Sequence, residues 1–251
     1  MTTLIPRPPA GAGGCFEYEL RARERRSFHT VLDAALLLDR LGRRSVARLD
    51  VTADEVVLAL DHPLARGRIR EEVRLAVADD GLRTRAFRRE AHSGSERMMR
   101  REDVPELHSD MLPLPDGTYP EVALPFLAGW LPLARERASL FAWINDRFVA
   151  RMYVEAAGRT TLALPCGERK ALEVVMYPDL NDWVHLGAVL TRLARPFLPK
   201  YRMAYELAPP HRLLRFEGPY GPPGAPEIVL ELARYFPASA GEDSLAASAR
   251  A

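Results

Sequence analysis

Cysteine is nearly absent: the 251 residues contain two, Cys15 and Cys166. That excludes a disulfide framework and a four-cysteine zinc site and leaves room for at most one bridge. Lysine is nearly absent too, since Lys170 and Lys200 are the only lysines among 35 basic residues. An arginine excess of this kind fits GC-rich coding better than a phosphate-binding surface. The formal net charge is only +1, so no global field draws the chain to nucleic acid or to an anionic membrane. No apolar run approaches the ~18 residues that span a bilayer. Residues 1–14 carry proline and glycine where a signal peptide places its apolar stretch. The expected location is therefore cytoplasmic. Ala12-Gly13-Gly14-Cys15 nonetheless has the small-residue-then-cysteine pattern at which bacterial lipoproteins are cleaved and acylated. An exported or lipid-anchored protein, with Cys15 as the lipidation site, is the alternative if translation begins further upstream.

What the chain does have is ordinary globular composition, 47% hydrophobic and 27% charged, enough for a sizeable core. Residues 1–14 are expected as a flexible leader, 15–236 as a single β-rich domain and 237–251 as a disordered tail. Period-two alternation recurs: Phe16, Tyr18 and Leu20; Ala47, Leu49 and Val51; Val73, Leu75 and Val77, followed by the Asp79-Asp80-Gly81 turn and a return strand through Arg89. In the second half Leu140, Ala142 and Ile144 precede Asn145-Asp146. Strands follow at 148–154, at 160–164 after a turn at Gly158, and at 168–177, 201–207, 212–217 and 228–235. Many short strands separated by turn residues predict a mainly β fold, an antiparallel curved sheet or half-barrel, rather than alternating βα units. Two segments depart from this pattern. Residues 28–41 have apolar side chains at helical spacing, with a buried strand as the rival assignment. Residues 182–195 read as a helix capped by Asn181 or Asp182 and ended by Pro196, an insertion placed to act as a lid.

Candidate chemistry is sparse. Asp179, Asp182 and His185 recur at three-residue intervals, a spacing that suits a metal or proton relay. It equally suits acids favouring a helix N-terminus beside a surface histidine. Cys166 lacks any nucleophile signature around it, and the six histidines lack zinc-site spacing, so neither metal nor cofactor is expected. The arginine-rich runs at 21–26, 83–89 and 97–101 are interleaved with acids or apolar strand positions and read as solvated faces. What remains is an aromatic cluster around the insertion: Trp183, Phe197, Tyr201, Tyr205 and Phe216 as candidate ligand-binding residues, with Lys200, Tyr201, His185 and Glu217 as candidate catalytic groups.

Four motifs carry a family resemblance. Phe16-Glu-Tyr-Glu-Leu20, Gly81-Leu-Arg-Thr-Arg85, the proline-containing link Tyr119-Pro-Glu-Val-Ala-Leu-Pro-Phe126 and the turn Leu162-Ala-Leu-Pro-Cys-Gly-Glu168 together resemble the bacterial DUF3108-like domains of unknown function. The resemblance implies a long antiparallel sheet curling into an open or closed barrel, and it supplies no activity and no catalytic residues. The chain departs from that family in lacking a signal segment and in carrying the 182–195 insertion. The function expected from these observations is binding of an apolar small molecule, lipid-like or polyketide-like, in a barrel-type cavity. A cofactor-independent cyclase or isomerase using the same cavity is one alternative. An assembly protein pairing through a sheet edge is the other.

Overall fold

The computed structural model describes residues 2–22, 43–64, 67–93, 96–103, 114–133, 137–145, 148–179, 200–219 and 227–238. The strands are β1 (Gly14–Ala22), β2 (Arg44–Val51), β3 (Glu55–Leu64), β4 (Gly67–Ala78), β5 (Gly81–Ser93), β6 (Glu96–Asp103) and β7 (Thr118–Pro120) in the first half. The second half adds β8 (Ala138–Asn145), β9 (Phe148–Leu164), β10 (Gly167–Pro178), β11 (Tyr201–Glu206), β12 (Leu213–Pro219) and β13 (Glu227–Pro237). All thirteen lie in one sheet, in the order β6-β5-β4-β3-β2-β1-β13-β12-β11-β10-β9-β8-β7. The expected mainly β, curved antiparallel architecture is therefore what forms. Among the described residues its only parallel pair is β7 with β8.

One feature differs from the sequence expectation. Gly158 makes no turn: β9 is a single 17-residue strand, and its register against β10 shifts between Glu173 and Val174. A glycine at such a bulge lets a long strand bend without ending it. Arg97 and its neighbours lie in β6, at one end of the sheet order. The predicted helices at 28–41 and 182–195 and the tail beyond residue 238 lie outside the described residues.

The short strand β7 closes the barrel. It pairs with β8, while Thr84 Oγ1 of β5 donates to Thr118 O at 2.7 Å and the Tyr119 hydroxyl donates to Leu82 O at 2.8 Å. The Phe87 and Trp143 rings meet across the same seam, 6.4 Å between centroids. Residues 2–13 run along the same seam. From Thr2 onward they strap the seam: the Thr3 amide bonds Ser139 O, the Leu82 amide bonds Ile5 O, and Ile5 is wholly buried. Tyr119 is the hub, because its hydroxyl also accepts from the Ile5 amide at 3.0 Å. Burial pushes that phenol up to about 12. Tyr119→Phe leaves two buried backbone groups without their partner and is expected to cost roughly 2–4 kcal/mol; urea denaturation measures it, and a loss under 1 kcal/mol would show that the hub carries little.

The strap also bears on Cys15. Its side chain is 6% exposed and its backbone pairs with Phe236. Acylation at this residue would require removal of the segment ahead of it, which contains the buried Ile5.

Candidate functional site

The two ends of the barrel differ. At the base, tight turns join β2 to β3, β4 to β5 and β9 to β10, and the strap lies across. At the other end, the rim, the chain leaves at Ala22, Pro178 and Pro219 and rejoins at Arg44, Tyr201 and Glu227. Between them runs the segment that the sequence resemblance presented as an extended link. It is helical instead: Glu121–Ala123 and Ala128–Trp130 are 3-10 turns flanking α1 (Leu124–Leu127). From Val122 to Leu131 no side chain except that of Trp130 carries a polar atom, and a helix apolar on all sides belongs inside a core. Leu124, Leu127 and Ala128 are accordingly 0% exposed.

This plug occupies the space a guest was expected to fill. Tyr205 Oη donates to Pro125 O at 2.7 Å, Trp130 Nε1 donates to Pro210 O at 3.2 Å, and Phe126 meets the Tyr18 ring edge-on at 5.9 Å. Tyr205 and Phe216, expected to line a ligand cavity, are 1% exposed and packed into the core. Among the described residues a recess lined by Phe16, Tyr18, Phe126, Trp130, His211 and Arg212 has a volume of ≈ 20 Å³. That is room for about one water molecule.

Toward the rim the interior turns polar. Ser45, His62 and Glu71 are each 2% exposed and stand on the adjacent strands β2, β3 and β4, on the inward phase that Ala47, Leu60 and Val73 continue below them. Ser45 Oγ and His62 Nδ1 share a hydrogen bond at 2.9 Å, and His62 Nε2 lies 3.6 Å from Glu71 Oε2. The other carboxylate oxygen of Glu71 accepts from Arg89 of β5, through Nε at 2.7 Å and Nη2 at 2.5 Å. Beyond Arg89 is Glu121, the first residue of the plug, whose Oε1 accepts from Tyr201 Oη at 2.6 Å. The row thus crosses the barrel from the wall of the first half to the wall of the second. Burial pushes the Glu121 carboxyl from the ordinary 4.5 up to about 7; the Tyr201 hydrogen bond and Arg89 oppose this and Glu71 reinforces it. The Tyr201 phenol is raised well above its usual range, by burial first and then by the Glu121 charge.

Ser45, His62 and Glu71 are the residue types of a nucleophile–base–acid triad, but the geometry is not that of one. Serine bonds Nδ1 rather than Nε2, the histidine–carboxylate separation exceeds a hydrogen bond, and the hydroxyl is covered. The arrangement satisfies buried polar groups across neighbouring strands. Among the described residues no three His, Cys, Asp or Glu side chains are placed to hold a metal ion.

Of the residues singled out from sequence, the fold brings Tyr201, Tyr205 and Phe216 to one inward face, with Tyr201 and Phe216 ring centroids 6.3 Å apart. Glu217 is not among them. It follows Phe216 in an extended strand, so it points to the opposite face, where it pairs with Arg215. Lys200 precedes β11 and is half-buried. Trp183, His185 and Phe197 lie outside the described residues, as does Asp182, so the proposed Asp179–Asp182–His185 spacing is not formed within them. Asp179 itself accepts from Tyr153 Oη at 2.6 Å. Sequence reasoning missed Ser45, His62, Glu71, Arg89 and Glu121, and read Arg89 as part of a solvated face. A signal was present: continuing the inward phase of Val56, Leu58 and Leu60 reaches His62, that of Val73 and Leu75 reaches Glu71 backwards, and that of Phe87 reaches Arg89.

No protein-family model matches the chain, and no curated protein matches it, so the DUF3108 likeness rests on its turn and strand motifs alone. Among solved structures it is similar to a β-barrel-like protein of the domain of unknown function DUF1849 from Brucella abortus, with 12% identity over 90% of this chain and 97% of that one and a TM-score of 0.52. An exported-protein candidate with a YmcC-like fold from Bacteroides fragilis covers 94% of this chain and 100% of its own, at 11% identity and a TM-score of 0.33. A lipoprotein candidate from Parabacteroides distasonis has the same coverage and TM-score at 9% identity. No helix among the described residues is long and apolar enough to cross a membrane. What the likeness to the Brucella abortus protein shows is the fold: this chain is built as a β-barrel-like sheet.

Proposed function

We propose that the chain is a binding protein for an amphipathic small molecule, received at the rim of the barrel rather than in a deep apolar hollow. The observation that carries this reading is the row of ionisable groups that runs from the buried pair His62 and Glu71 through Arg89, 28% exposed, to half-buried Glu121. Burying charge costs several kcal/mol per ion that pairing recovers only in part. The lower barrel, filled by Leu124, Leu127 and Trp130, is evidence that this sequence can fill the same fold with apolar side chains. A buried cluster with a carboxyl shifted toward neutrality is characteristic of binding and catalytic sites. A purely structural role, locking β2 to β5 in register, is the competing explanation.

The part of the plug that a guest meets first is its rim-end turn, Glu121–Ala123, where Glu121 is half-buried and Val122 and Ala123 are buried. It has no side-chain cap, and such short turns owe their stability to tertiary packing rather than to themselves. The aromatic rings of Tyr201 and Phe216 stand behind it as the apolar wall.

Native mass spectrometry of the purified chain, with thermal-shift assays against C8–C16 amphiphiles, tests the reading. Co-purified small molecules or a shift of several degrees that is lost in Arg89→Met is expected. A chain that carries nothing and shifts with none of the panel is a structural barrel, and the proposal ends there.

A further inference from the structure

Resting on that binding reading, we infer that the head group taken at the rim is a protonated amine carried on an apolar body, with Glu121 as its counter-ion. The groups facing Glu121 are Tyr201 from β11, Arg89 from β5 and Glu71 from β4, with His62 of β3 behind Glu71. Two of these described groups are carboxylates, counting Glu121 itself, against one guanidinium. Arg89 is committed to Glu71 by two short contacts, at 2.7 and 2.5 Å. Glu121 is left with a neutral donor, the Tyr201 hydroxyl at 2.6 Å.

Each class of head group meets this set differently. A carboxylate or phosphate head approaches two acids and a guanidinium already engaged. An alcohol can hydrogen-bond to Glu121 but neutralises nothing. An ammonium supplies the missing charge and three donors.

Proton linkage gives the inference a signature. The amine stays charged through the neutral range, whereas Glu121 gains its charge as pH passes about 7. Affinity of an amine therefore rises about tenfold between pH 6 and pH 8 if it binds the ionised carboxylate alone.

Isothermal titration of the full chain with dodecylamine, dodecanol and dodecanoate, below their micellar concentrations and at both pH values, decides the matter. The expected result is dodecylamine binding tightest, about tenfold tighter at pH 8 than at pH 6, with both the preference and the pH dependence abolished in Glu121→Gln. Dodecanol or dodecanoate binding as tightly as the amine overturns the amine inference while leaving the binding reading in place. So does an amine affinity that is flat with pH in the unaltered chain, a comparison that needs no variant to fold. If none of the three binds, the binding reading fails with it.

Discussion

Glu121→Gln is expected to stabilise the protein by about 2 kcal/mol at pH 8 and to leave it nearly unchanged at pH 4. The folded chain holds the Glu121 proton up to about pH 7, whereas the unfolded chain releases it near the ordinary 4.5. Between those values the native state binds more protons than the unfolded state, so stability falls as pH rises and levels off above the folded value. Each pH unit of that gap is worth about 1.4 kcal/mol, which sets an upper limit near 3 kcal/mol for a fully ionised Glu121. Glutamine keeps the acceptor for Tyr201 Oη and removes the ionisation, but its amide needs hydrogen bonds of its own, hence the smaller expected gain. Urea denaturation of both proteins at pH 4 and 8 measures the difference. A gain of equal size at both pH values would mean that ionisation of Glu121 is not what strains the native state.

Gly129→Ala should act in the opposite direction, destabilising by about 2–3 kcal/mol. In an exposed helical turn this exchange usually helps, because alanine restricts the unfolded chain. Here an added Cβ stands 2.6 Å from Cδ1 of Tyr205 and 2.7 Å from the carbonyl oxygen of His211. Neither can retreat easily: Tyr205 is pinned through its hydroxyl to Pro125 O, and the His211 amide is bonded back to Ala208 O. The clash pushes the plug away from β11 and exposes Leu127 and Trp130 to loosened packing. The midpoint of chemical denaturation reports this. A midpoint equal to that of the parent would show that the plug is not seated against β11 as described.

Both predictions concern the plug, and the plug is where legibility from sequence stopped. The individual strands were legible because alternation is local: Phe16, Tyr18 and Leu20 declare an inward face wherever the strand ends up. The turn at Asp79-Asp80-Gly81 likewise sets its own hairpin. The stretch from Tyr119 to Phe126 was read as an extended link because its two prolines suggested extension, and the apolar run from Val122 to Leu131 that overlaps it was passed over. Its lack of polar side chains was the better guide, since a surface connection of that composition would expose an apolar patch. The polar row was hidden for a different reason. Ser45, His62, Glu71, Arg89, Glu121 and Tyr201 come from six elements, and an arginine or glutamate in a strand is ordinarily on the solvated phase. Only their parity with the apolar residues beside them marked them as inward.

The sequence by itself determined that this is a β protein, the approximate place of most of its strands, and which side chains on each strand share a face, because period two is written residue by residue. Only the tertiary structure decided that β1 lies beside β13, that β7 and the strap of residues 2–13 close the seam, and that a helical segment fills the hollow. Those outcomes depend on which distant surfaces can bury one another and satisfy every enclosed polar group at once. No local pattern encodes that joint condition.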